Sequence, residues 1–151
     1  MIAWEKIDNT KFENLAFDYM ASNYPDIRWE KTTLTNDGNK DGQSIISTLP
    51  FNTTIKYWYE AKYSININKS IPKSHLDSTL VSSLLDGHVV VIAFITNAYI
   101  SDDYKRRADI FARRRDNLKI YYINGEEIEN WLSENPAIED KYFNRISAQK
   151  H

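Results

Sequence analysis

The chain has no cysteine, only four glycines and four prolines among 151 residues, and no marked excess of either charge. Each scarcity excludes something. Without cysteine there is neither a disulfide framework nor a thiolate zinc site. Nothing calls for an oxidising compartment, so cytoplasmic residence is the natural reading. The few glycines form no GxGxxG or GxxxxGK[ST] pattern, which disfavours nucleotide enzymes of the Rossmann or P-loop kind. A net charge of −2 gives no global attraction for nucleic acid, so any such binding must come from local basic patches. The longest apolar run, Val89 to Ile95, is far too short to span a bilayer, and the charged N-terminus has no signal-peptide core. What is present is a chain of single-domain length, 42% hydrophobic and 26% charged, with 13% aromatic residues. Those aromatics suit a packed core; base stacking is compatible but not required.

The most informative stretch is Tyr57-Trp58-Tyr59-Glu60-Ala61-Lys62-Tyr63, whose aromatic and β-branched content predicts a strand. Alternation puts Lys56, Trp58, Glu60 and Lys62 on one face and Ile55, Tyr57, Tyr59, Ala61 and Tyr63 on the other. A carboxylate and an ammonium two residues apart on an otherwise apolar strand either line a polar cleft or lie on a solvated edge. Upstream, Asp37-Gly38-Asn39-Lys40-Asp41-Gly42 reads as a turn, followed by a strand from Gln43 to Leu49 and the breaker Pro50-Phe51-Asn52. Antiparallel return of that strand would bring Asp41 close to Glu60 and Lys62. Two carboxylates sharing a site raise a pKa unless a cation neutralises them, and few, hard oxygen ligands suit Mg²⁺ with retained waters.

Asp41 followed nineteen positions later by Glu60-Ala61-Lys62 resembles the PD-(D/E)xK nuclease core. The turn from Asp37 to Gly42 is similar to the acidic-glycine turn of the Mrr-like branch of restriction endonucleases. Phe94-Ile95-Thr96-Asn97 and Tyr121 to Ile128 resemble the strand end and the closing strand, glycine and helix of that group. The likeness runs from about residue 11 to residue 133. It departs from the family at Asn39, where a second glycine is usual, and at Lys40, where relatives carry an apolar or small residue. The resemblance implies that Asp41, Glu60 and the main-chain carbonyl of Ala61 hold Mg²⁺, with Mn²⁺ as a substitute. It also implies that Lys62 orients water or phosphate and that Glu13, on the first helix, helps to bind a second metal ion. Read without the family, Glu13 is a solvated glutamate near a helix N-terminus, and both readings stay open.

In chain order, Asp8 or Thr10 caps a helix to about Ser22 whose buried stripe is Phe12, Leu15, Ala16, Tyr19 and Met20. A strand from Ile27 to Thr35 opens a three-strand meander, and Ser64 to Lys73 is a polar loop over the cleft. Pro72 starts a helix ending at Asp86-Gly87, with Leu76, Leu80, Val81 and Leu84 as its apolar stripe and His75, Asp77, Thr79, Ser82 and Ser83 on its polar side. His75 lacks histidine or cysteine partners, which argues against zinc. His88 to Thr96 reads as a strand covered on both faces, and Leu118 to Ile123 as another buried strand. Between them Ser101-Asp102-Asp103 caps a helix bearing Arg106, Arg107, Arg113 and Arg114. A short helix carrying Ile128, Trp131 and Leu132 closes the domain, expected over residues 1–135; residues 136–151 read as a tail or the start of a linker to a further domain.

The order of elements predicts an α/β fold, a restriction-endonuclease-like α/β/α sandwich with a mixed central β-sheet. The expected function is Mg²⁺-dependent endonuclease activity on phosphodiester bonds, with double-stranded DNA as substrate, in a larger defence or restriction protein. The alternative is a silent nucleic-acid-binding or protein-interaction adaptor on the same fold. Asp41, Glu60, Lys62 and Glu13 are the catalytic candidates. Lys40, Lys69, Lys73, Asp77 and Thr79 are candidates for substrate contact, and the arginine helix is a competing phosphate site. Cutting both strands calls for two active sites, as in a homodimer; partner proteins or further domains are compatible, a membrane is not.

Overall fold

The structure, a computed structural model, describes residues 2–32, 41–48, 53–115 and 118–144. Lys40 with the rest of the Asp37–Lys40 turn, the Pro50-Phe51-Asn52 breaker and residues 145–151 lie outside them. The elements are α1 (Asn9–Asn23), β1 (Glu30–Lys31), β2 (Gly42–Thr48), β3 (Thr53–Lys62), α2 (Lys73–Asp86), β4 (Val89–Thr96), α3 (Asp102–Arg113), β5 (Lys119–Ile123), α4 (Gly125–Glu134) and α5 (Pro136–Glu139). The sheet has the order β1-β2-β3-β4-β5. The first three strands form an antiparallel meander, and β3, β4 and β5 run parallel, joined through α2 and α3. This is the mixed α/β sandwich that the order of elements predicts.

Alternation along the central strands divides the core in two. Tyr59, Ala61, Ala93 and Ile95 pack under α1 and α4, where Phe12, Leu15, Ala16, Tyr19 and Met20 form the predicted stripe. Trp58, Ile92 and Phe94 pack on the other face under α2 and α3, with Leu76, Leu80, Tyr104 and Ala108. Helix starts follow the capping rule: Asp8 accepts a hydrogen bond from the Lys11 N–H at 2.9 Å, and Ser101 accepts one from the Tyr104 N–H at 3.2 Å. Gly87 ends α2 at φ 80°, a conformation that costs glycine nothing.

Three expectations are corrected. Only Glu30 and Lys31 form the described part of the strand expected from Ile27 to Thr35. The strand expected as buried at 118–123 is the sheet edge, with Lys119 and Tyr121 exposed. In α2 the buried face is Leu76, Thr79, Leu80 and Ser83, while Val81 and Leu84 of the expected stripe lie in solvent. The reason is polar: Ser83 Oγ accepts from the Arg115 guanidinium at 3.1 Å and Thr79 Oγ1 donates to Glu60, so the sheet takes the hydroxyl face of the helix. Residues 136–144 fold back on the domain, with Phe143 buried edge-on against Trp4 at 5.4 Å and the Tyr142 hydroxyl donating to Asp18 at 2.5 Å. Among the described residues no helix is long and apolar enough to cross a membrane.

Candidate active site

The site forms where the β2–β3 pair ends. Gly42 lies opposite Tyr59, and a Cβ there would stand 2.0 Å from the tyrosine ring, so only glycine lets the ring cross the strand. That contact sets Asp41 at the strand mouth. Its N–H donates to the Tyr59 carbonyl at 3.0 Å, and its own carbonyl accepts from the Thr32 N–H at 3.0 Å. Its carboxylate then continues the ladder, with Oδ2 accepting from the Ala61 N–H at 2.6 Å. Asp41 is therefore held by its main chain on both sides and by its carboxylate at Ala61.

Glu60 enters from β3, on the α2 face of the sheet. It is only 4% exposed, yet its carboxyl meets Asp41, the Thr79 hydroxyl at 3.2 Å and the Lys62 ammonium at 3.3 Å. Burial, the hydrogen bond with Asp41 and the Asp41 charge push the Glu60 pKa up to about 9, and Lys62 only partly opposes them. Glu13, on the shoulder of α1, is also raised, first by burial and then by Asp41, against Lys62 and Lys31. Beneath them the Tyr59 hydroxyl is buried with no hydrogen-bond partner among the described residues. Its pKa is driven upward by burial first and then by Asp41, Glu13, Asp18 and Glu60. Among the described residues, Asp41, Glu60 and Glu13 thus gather near the Lys62 ammonium.

This donor set fits a hard divalent cation. Asp41 and Glu60 supply hard oxygens at one point, where burial and the neighbouring carboxylate disfavour the charged form of Glu60. Among the described residues no group of three or more histidine, cysteine, aspartate or glutamate side chains is placed to hold one ion. Two carboxylates with the remaining positions left to water is the arrangement Mg²⁺ favours. Glu13, on the neighbouring helix, lies within reach of the Asp41 charge.

The other sequence candidates separate. Thr79 is fully buried and touches the site through Glu60. Asp77 accepts from the Tyr104 hydroxyl at 2.9 Å, in the α2–α3 junction. Lys73 pairs with Asp103 at 3.2 Å, Arg106 reaches the same aspartate at 3.4 Å, and Arg115 is spent on Ser83. Lys69 stands exposed on the loop that follows β3. That loop is anchored at both ends. The Asn97 side chain accepts from the Ser64 N–H and donates to the Ser64 carbonyl, each at 2.7 Å, and the Ile71 N–H donates to the Tyr99 carbonyl at 2.9 Å. Gly125 permits this anchor, because a Cβ there would stand 2.1 Å from the Asn97 carbonyl oxygen. In the sequence Asn97 and Gly125 stand out only as parts of motifs, one and two positions after the ends of β4 and β5.

No family model and no curated protein matches this chain. Solved structures do. The MspJI restriction endonuclease in complex with a 27-mer oligonucleotide matches at TM-score 0.51 and 16% identity, over 78% of this chain and 26% of that one. The DNA modification-dependent restriction endonuclease AspBHI matches at TM-score 0.53 and 16% identity, over 96% of this chain and 42% of that one. The fold is restriction-endonuclease-like. At this identity the likeness concerns fold, and the chain spans well under half the length of either structure.

Proposed function

We propose that this chain is a metal-dependent endonuclease domain of the PD-(D/E)xK type, on the Mrr-like branch, cutting DNA with Mg²⁺. The observation that carries the reading is the meeting of Asp41, Glu60 and Lys62 in one buried, carboxylate-rich site. An adaptor domain has no use for that arrangement, because a carboxyl buried beside a second carboxylate destabilises the fold once it ionises. The order of the motifs and the two similar structures, one holding an oligonucleotide and the other a DNA modification-dependent endonuclease, support DNA as the substrate.

On this reading Asp41 and Glu60 hold the cation, joined by the main-chain carbonyl of Ala61. When bound, the cation acidifies a water and draws charge from the phosphate. Asp41 is held rigid by the Ala61 N–H, so its oxygen is oriented in advance. Thr79 keeps the Glu60 carboxyl turned toward Asp41 and Lys62. The Lys62 ammonium, with three donors, hydrogen-bonds a non-bridging phosphate oxygen or the attacking water and offsets charge gathering on the phosphorus centre. Glu13 orients water at the rim or helps hold a second cation. The direct test is incubation of supercoiled plasmid with the protein in Mg²⁺ and in EDTA. Nicked or linear product in Mg²⁺ alone is expected; intact plasmid under both conditions would reject the assignment.

A further inference from the structure

Beyond the catalytic groups, one exposed element has the chemistry of a nucleic-acid contact. Ile65 is 81% exposed and Ile67 is also in solvent, on the loop that leaves the site strand. Solvent-facing isoleucine on a floppy tip would need no comment. This tip is not floppy. Ser64 is clamped by Asn97, its hydroxyl donates to the Asn66 carbonyl at 2.9 Å, the Asn66 side chain accepts from the Asn68 N–H at 2.9 Å, and Ser70 and Ile71 pair with Tyr99. The fold thus holds an aliphatic side chain out in water, at a hydrophobic cost that contact with a partner would recover.

Two observations indicate what that partner is. Between Glu60 and Asp77 the chain carries no acidic residue and three lysines, 62, 69 and 73, although the whole chain is net negative. Lys73 is paired with Asp103 and Lys62 with Glu60 at the site, while Lys69 stands exposed on the loop. The second is distance. Ile65 is three residues from Lys62, so their Cα atoms lie within about 11 Å of each other. Successive phosphates along one strand advance about 3.4 Å, so the isoleucine falls within about three base steps of a phosphate at Lys62.

We propose that the 64–69 loop is a DNA wedge: Ile65 presses into the base stack beside the cut phosphate while Lys69 contacts the backbone. Apolar side chains used in this way unstack a base step and bend the duplex, which helps present a single phosphate to a recessed site. The proposal rests on the nuclease reading and names the contact that positions its substrate.

The test uses the full chain with Ca²⁺ in place of Mg²⁺, to bind DNA uncut, and a duplex carrying a stacking-quenched fluorescent adenine analogue near the cut mapped in Mg²⁺. Wild type should brighten the analogue, and Ile65→Ala should abolish that rise and weaken binding about tenfold, the loss expected for one buried aliphatic side chain. Lys69→Gln should lower the salt slope of binding by about one while keeping the fluorescence rise. If wild type cuts DNA and Ile65→Ala binds equally well with the same rise, the wedge is refuted and the isoleucines belong to a protein contact. If wild type neither binds nor cuts DNA, the nuclease reading falls and the wedge with it.

Discussion

Strand β3 carries two acid–ammonium pairs on one face, and they behave in opposite ways. Lys56 meets Asp86 at the end of α2 at 2.6 Å. Burial raises the Asp86 carboxyl, but the Lys56 hydrogen bond, the His88 N–H and the Lys56 charge outweigh it and hold the carboxyl below its ordinary range. Four residues along, Glu60 meets Lys62 at 3.3 Å and is pushed up to about 9. The difference is one carboxylate and one layer of burial. Asp86 has its cation and a backbone donor to itself, whereas Glu60 has the Asp41 carboxylate against it and lies deeper. The first pair fastens a helix to a sheet. In the second, burial and a neighbouring carboxylate hold a carboxyl off ionisation, which is where a cation-dependent site is expected.

The comparison breaks most sharply at the functional end. Lys62→Ala should lower Mg²⁺-dependent plasmid cleavage at least about a hundredfold, the scale of losing one transition-state donor, while metal binding persists. Asp41→Ala should lose cleavage and metal together. The corresponding Lys56→Ala variant should cut at the wild-type rate, and a large loss there would erase the distinction between the pairs.

A second break concerns stability in EDTA. A carboxyl whose folded pKa, about 9, exceeds its ordinary 4.5 contributes stability fully below the lower value, and that contribution is lost as pH rises through the upper one. Metal-free wild type should therefore weaken from mildly acidic to alkaline pH. Glu60→Gln should flatten that limb and gain about 0.5–2 kcal/mol near pH 8 in denaturant titration, at the expense of activity. A destabilised Glu60→Gln protein would mean that the carboxylate is structural after all.

The smallest effect belongs to Asp86. Its folded pKa is depressed, so its contribution is present above the ordinary value of 3.8 and lost as pH falls through the lower folded one. Lys56→Ala should cost about 1 kcal/mol at neutral pH, and that difference should vanish in acid.

How much of this could be read from the chain depended on range. Alternation in β3 and the 3.6-residue stripe of α1 are local patterns, and both faces came out as the pattern implies. The approach of Asp41 to Glu60 follows from the antiparallel pairing of β2 with β3, which two strand-forming runs on either side of Pro50-Phe51-Asn52 announce in the sequence. What was not legible involved partners far apart in sequence. Nothing near Thr79 or Ser83 shows that Glu60 and Arg115 will call the hydroxyl face of α2 inward and leave Val81 and Leu84 exposed. Likewise the capture of Asp77 by Tyr104 and of Lys73 by Asp103 removes two candidates from the cleft through contacts 27 and 30 residues away.

The central claim is that Asp41 and Glu60 together hold a divalent cation. Calorimetric titration of the protein with Mg²⁺ near pH 7, in two buffers of different ionisation enthalpy, tests it directly. Because Glu60 holds its proton until about pH 9 in the metal-free fold, saturable binding accompanied by proton release is expected, and Asp41→Ala should abolish both. No saturable binding, or binding that survives Asp41→Ala unchanged, would contradict the account.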